Sequence, residues 1–166
     1  MTSTTTHDRR EVRWIIEGAV PVALRPAGRP RRRRDHYELD SLTSWHAAKR
    51  RGTSRALEHK LRMGRVEHVE WSGVDGFIET WRKAPAVADR IGGTWVRVDK
   101  ELWSFGHLEI CHFRVGDANG WTVCVDIDRR ATSGGSAVFE RWLPELGRRG
   151  SPDSYPSWLA RRLRRV

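Results

Sequence analysis

The stretch from Arg55 to Lys83, RALEHKLRMGRVEHVEWSGVDGFIETWRK, places charged side chains two residues apart along much of its length. Glu58, Lys60 and Arg62 share one face, and His59, Leu61 and Met63 share the other. A period of two belongs to strands, because a helix turns residues i and i+2 to different sides. The stretch predicts three strands in succession. Rows of Lys and Arg facing one way along neighbouring strands leave two outcomes: a solvated outer face, or the lining of a concave anion site.

The same alternation recurs along the chain. Glu11–Glu17, rich in β-branched and aromatic residues and ended by Gly18, predicts a first strand. The following VPVALRPAGRPRRRR carries prolines at 21, 26 and 30 and predicts an extended, solvated segment ending in the Arg31–Arg34 block. Asp35–Leu39 predicts a short strand. Ser41–Arg51 holds helix formers closed by Gly52 and predicts a short helix or a loop with one helical turn. Ala84–Arg90 predicts a turn or two of helix. Thr94–Leu102 alternates, with Trp95, Arg97 and Asp99 opposite Val96, Val98 and Lys100. A turn at Phe105-Gly106 leads to a strand over His107–Val115. GDANG, with its turn-forming Asn119-Gly120, then predicts a hairpin into Trp121–Asp128. Thr132–Ser136 predicts a linker. Ala137–Leu146 predicts a helix that Pro144 kinks or stops, and Ser154–Leu163 a second helix ending in an Arg-rich tail.

The total is about eight strands with hairpin-type joins and short helices. That predicts an α+β, mainly β fold: an antiparallel, roughly eight-stranded barrel with helices packed outside. A barrel of this size can hold one ligand. The 166 residues suit one domain over 11–166, with polar residues 1–10 as a disordered leader. No apolar run reaches the length of a membrane span, and the expected compartment is the cytoplasm. The net charge of +10 favours polyanionic partners, although 27 of the 31 basic residues are Arg, a skew that GC-rich coding also produces. Cys111 and Cys124 have no metal-ligand spacing and read as small core residues. His107 and His112 face opposite sides of one strand, whereas His59 and His68 can meet across a hairpin. No nucleophile elbow and no phosphate-binding glycine loop is present in the sequence.

The order of these segments resembles the CYTH-type, triphosphate-tunnel family. Glu11-Val12-Arg13-Trp14-Ile15 is similar to its first strand, Asp35-His36-Tyr37 to its polar-aromatic strand, and Lys60-Leu61-Arg62 to its basic strand. Trp81-Arg82-Lys83 and Val96–Lys100 resemble later basic strands, and Asp126 with Asp128 the late acidic strand; the likeness spans about residues 11–130. It implies a barrel lumen that binds a phosphorylated or polyphosphate-type organic anion through Arg13, Lys60, Arg62, Lys83 and Arg97. It also implies Mg²⁺ or Mn²⁺ at Glu11, Asp126 and Asp128, and a triphosphatase or phosphohydrolase activity. The family signature is ExExK, and this chain reads Glu11, Arg13 and Ile15 there: one carboxylate is replaced by a cation and the Lys by an apolar residue. Holding a divalent ion against phosphate needs those carboxylates, so the metal-dependent step is the part the departure weakens.

Two other readings stand beside this one. The Arg31–Arg34 arm, the Arg161–Arg165 tail and exposed Trp side chains would suit a nucleic-acid-binding module. A barrel that is catalytically inactive and binds a protein partner needs no ligand in its lumen.

Overall fold

The computed structural model describes residues 8–52, 57–86 and 93–164. Eight strands form the body: β1 (Asp8–Glu17), β2 (Arg31–Glu38), β3 (His46–Arg51), β4 (Leu57–Trp71), β5 (Val74–Ala86), β6 (Trp95–Phe105), β7 (Leu108–Val115) and β8 (Ala118–Asp126). Their order is β5-β4-β3-β2-β6-β7-β8-β1, every pairing is antiparallel, and β1 pairs with β5 to close the barrel. Helix α1 (Ser133–Arg149), a two-residue strand β9 (Ser151–Pro152) added to β1, and helix α2 (Tyr155–Leu163) follow.

Alternation along β1 divides the molecule. Val12, Trp14 and Ile16 point outward and are buried beneath Phe139, Trp142 and Leu146 of α1. Arg9, Glu11, Arg13 and Ile15 point inward. The lumen itself has two halves. Toward one end Ile15, Val98 and Phe113 meet Tyr155, Trp158 and Leu159 of α2, which plugs that opening with hydrocarbon. Toward the other end the inward side chains are charged. Each large apolar side chain buried this way is worth roughly 1.5–3 kcal/mol, so both helices are fixed by their packing.

Several sequence expectations change. Of the stretch expected to give three strands, Arg55 and Ala56 lie outside the described residues and the rest falls in two long strands, β4 and β5, joined by a turn at Ser72 and Gly73 that both have positive φ, with a bulge between Met63 and Glu67. The Arg31–Arg34 block is the first half of β2, where pairing with β6 supplies the order that its own composition does not. His46–Arg51 is a strand and not a helix, because hydrogen bonding to β2 and β4 on both sides overrides the helix preference of Ala and Lys. Ala84–Ala86 continue β5, and the remainder of the expected helix over 84–90 lies outside the described residues. Of the expected leader, residues 8–10 belong to β1 and pair with β5, and residues 1–7 lie outside the described residues.

The β7–β8 hairpin turns at Gly116-Asp117, and Asn119-Gly120 sit in the ladder. A Cβ on Gly120 would stand 2.5 Å from the Ile16 carbonyl oxygen, so close strand approach explains this glycine better than a turn. Thr132–Ser136 caps α1: the Thr132 hydroxyl accepts from the Gly135 amide at 3.1 Å. Helix α1 runs through Pro144, whose cost of about 3 kcal/mol is offset by the burial of Trp142 and Leu146 on either side.

Candidate functional site

The charged half of the lumen draws side chains from seven strands. Arg9, Arg13, Arg33, Lys49, Arg51, Lys60, Lys83 and Lys100 line it, with Glu11 and Glu109 as the acidic members. Asp35, Glu58 and Asp126 stand beside these cations as ion-pair partners. Among the described residues, eight cations therefore face five carboxylates. The chain has four lysines, and all four are here. The rim is made by half-buried Arg9, Arg33 and Lys83 and exposed Arg51; the depth is made by buried Lys49, Lys60, Lys100 and Arg13.

Three carboxylates organise the cations. Glu11, 3 % exposed, lies 3.2 Å from Lys60 Nζ, 3.4 Å from Arg13 Nη2 and 3.2 Å from Arg9 Nε. Asp35, fully buried, receives Lys100 at 2.7 Å and Arg33 at 3.1 Å. Glu58 meets Lys49 at 3.2 Å and Arg51 at 4.0 Å. Lys83 has no carboxylate within 4 Å among the described residues. Aromatic faces hold the ammonium groups from behind: Lys60 lies 4.4 Å from the Trp81 ring centroid and Lys100 4.1 Å from that of Tyr155. Arg13 donates to Thr122 Oγ1 at 3.1 Å and stacks over Tyr155, while its Nε is buried with no partner.

Proton affinities follow from burial and neighbours. Burial alone would raise Glu11, but Lys60, then Arg13 and Arg9, hold it well below the usual carboxylate range. Burial works against Asp35 too, and Lys100, Lys49 and Arg33 pull it far down. Burial pushes Lys49 well below an ordinary lysine, and Lys100 nearby adds to the effect against the pull of Glu58. Lys60 and Lys83 are lowered mainly by burial, opposed by Glu11 and Glu58 respectively. Lys100 resists its burial because Tyr37 and Asp35 raise it. The thiol of Cys124 is pushed up to about 12, chiefly by burial, which leaves it a core side chain; Cys111 is raised for the same reason.

The sequence-derived residues separate on this map. Glu11, Arg13, Lys60 and Lys83 come together in the lumen. Arg62 shares their face one turn of the alternation nearer α2, bonds Glu79 at 3.4 Å and borders a side pocket on the far side of Arg13. Arg97 is not brought to the cradle: it lies on the exposed outer face of β6, bound to Asp99, because Lys100 takes the inward register of that strand. Asp126 lies beside Glu11 in the ladder but is bound by Arg9 and Arg129, and Asp128 lies beyond the strand with Arg10. His59 meets His46 at 2.7 Å, and His68 bonds Asp75 at 2.7 Å. Sequence reasoning missed Lys49, Lys100, Arg33, Arg51, Arg9 and Asp35. The rarity of lysine among the basic residues was the available signal.

A divalent ion does not fit these residues. Three cationic groups occupy the oxygens of Glu11, and Asp126 and Asp128 point to different partners. Among the described residues no group of three or more His, Cys, Asp or Glu side chains is placed to hold a metal. Also among the described residues, no helix is long and apolar enough to cross a membrane.

A second basic surface lies outside. Arg32 and Arg34 of β2, Arg97 of β6 and Arg114 of β7 border a groove of about 380 Å³ with Asp99, Glu101 and His112. The Arg161–Arg165 tail is engaged in the fold: Arg161 pairs with Asp153, Arg162 with Glu17 at 3.9 Å, and Arg164 donates to the Leu42 carbonyl at 2.9 Å, while Arg165 lies outside the described residues. No protein-family model, curated protein or solved structure matches this chain.

Proposed function

We propose that the barrel lumen binds a phosphorylated organic anion. The observation that carries this reading is the gathering of every lysine of the chain into one enclosed space where cations outnumber carboxylates. Like charges held together in a low-dielectric space repel, and a bound multivalent oxyanion relieves that repulsion through charge-assisted hydrogen bonds. A closed, antiparallel eight-stranded barrel accords with the CYTH-type resemblance, which supports phosphate over other anions. The cations around Glu11 favour binding over metal-dependent phosphohydrolysis.

Thermal denaturation with orthophosphate, pyrophosphate, tripolyphosphate and nucleotides tests this. The expected result is one-site saturation, with about 2.7 kcal/mol of stabilisation at 100 times the dissociation constant. Stabilisation by none of these anions overturns the proposal.

The outer groove favours a second reading, the docking of a nucleic acid strand along Arg32, Arg34, Arg97 and Arg114. Binding there would fall steeply with salt and weaken in an Arg34→Ala/Arg114→Ala double variant, with lumen variants unaffected.

A further inference from the structure

The lumen is small and closed at its inner end. Its cavity volume is about 50 Å³, against about 380 Å³ for the outer groove. That is room for a few water molecules, and so for one tetrahedral group and not a chain of three. Tyr155 lies at its floor, and Trp158 and Leu159 fill the barrel beyond. On the side toward Arg62, Arg13 forms the wall, fixed by Glu11, Thr122 and the Tyr155 ring.

The donors suit such a group. Lys49, Lys60 and Lys100 surround the space with mobile ammonium protons. The Arg13 guanidinium adds a fixed positive charge in a wall shared by the lumen and the Arg62 pocket. Nothing in this arrangement calls for a metal bridge, because the cations that would neutralise the oxyanion belong to the protein.

Resting on the anion-binding reading, we propose a narrower one. The lumen takes a single tetrahedral oxyanion, the phosphate group of a monoester or free orthophosphate, without a metal ion. The organic part of a monoester stays at the rim between Arg33, Arg51 and Lys83. The chemistry recognised is that of one dianionic head group. Lys49 and Arg13 are its deep contacts, and Lys83 is its contact at the mouth.

Isothermal titration calorimetry on the full chain, with EDTA and separately with Mg²⁺, distinguishes the outcomes. The probes are orthophosphate, phenyl phosphate, pyrophosphate and tripolyphosphate. Orthophosphate and phenyl phosphate are each expected to bind at one site, with affinities the same in EDTA and Mg²⁺. A gain for phenyl phosphate over orthophosphate assigns a monoester, and equal or weaker binding assigns the free ion. Lys49→Met is expected to lower affinity for both by about tenfold or more, the loss of one charge-assisted contact. Lys83→Met, at the rim and therefore less exposed to folding defects, is expected to lower it several-fold. Binding of tripolyphosphate with none of the single phosphate groups overturns this inference and leaves the anion-binding reading intact. A requirement for Mg²⁺ overturns the metal-free part, unchanged affinity in both variants overturns the lumen assignment, and binding of no probe overturns both readings.

Discussion

The lumen and the outer groove are built from the same strands, even from the same run of four arginines, yet their charges have different physics. Arg33 turns inward to a fully buried Asp35; Arg32 and Arg34 turn outward to Glu101 and Asp99. Outside, water screens each pair, and breaking one costs at most about 1 kcal/mol. Inside, water is largely excluded, and removing a carboxylate leaves its partner cations buried with only ring faces and hydroxyls to offset their charge. The comparison teaches that a count of basic residues says little until each is assigned to a face. The net charge of +10 is mostly solvated arginine, and the part suited to a ligand is a small subset that includes every lysine.

Four measurements bear on this contrast. The largest effect is expected from Glu11→Gln, which leaves Lys60 and Arg13 without their carboxylate and Arg9 with Asp126 alone: a loss of roughly 3–5 kcal/mol in denaturant unfolding. A loss no larger than that of an outer pair would remove the distinction between the two regions. Next is acid sensitivity. Glu11, Asp35 and Glu58 all have folded proton affinities below their ordinary values of 4.5, 3.8 and 4.5. Their contribution is present above those values and is lost as pH falls through the lower folded ones. Unfolding free energy should therefore drop steeply with acid below about pH 4.5, and Glu11→Gln should flatten the drop.

Lys83→Met is expected to act in the opposite sense. It removes a lowered-pKa cation that has no carboxylate within 4 Å among the described residues, so the ligand-free protein should gain on the order of 1 kcal/mol, with anion affinity falling. A loss of stability would mean that Lys83 is satisfied in the ligand-free fold. The smallest effect belongs to Asp99→Asn outside, expected within about 1 kcal/mol and shrinking further in high salt.

Much of the barrel was legible in the sequence, since Glu11–Glu17 is rich in β-branched and aromatic residues and the alternation at Thr94–Leu102 and Trp121–Asp128 carries its own period. The site was legible only in part. Lys60 and Lys83 stood in alternating strands and were found. Lys49 lay in Ala-Ala-Lys-Arg-Arg, where local preference favours helix and only the pairing of β3 with its two neighbours makes a strand. Arg33 was hidden because four identical residues show no alternation. The family resemblance points to Arg97 in Val96–Lys100, whereas the alternation sets Arg97 and Lys100 on opposite faces and the lumen takes Lys100. Here the lumen is half hydrocarbon, so its cations share faces with Val98 and Leu102. A cation alternating with apolar residues was the better sign.

Lysine labelled with ¹³C at Cε gives four signals in this chain, one for each lumen amine. Their titration by NMR tests the account most directly. Lys49, Lys60 and Lys83 should lose their protons below the ordinary lysine value of 10.5 and Lys100 above it, with added orthophosphate moving the first three upward. Four signals titrating together at the ordinary value, indifferent to phosphate, would contradict the burial of these amines and the anion site with it.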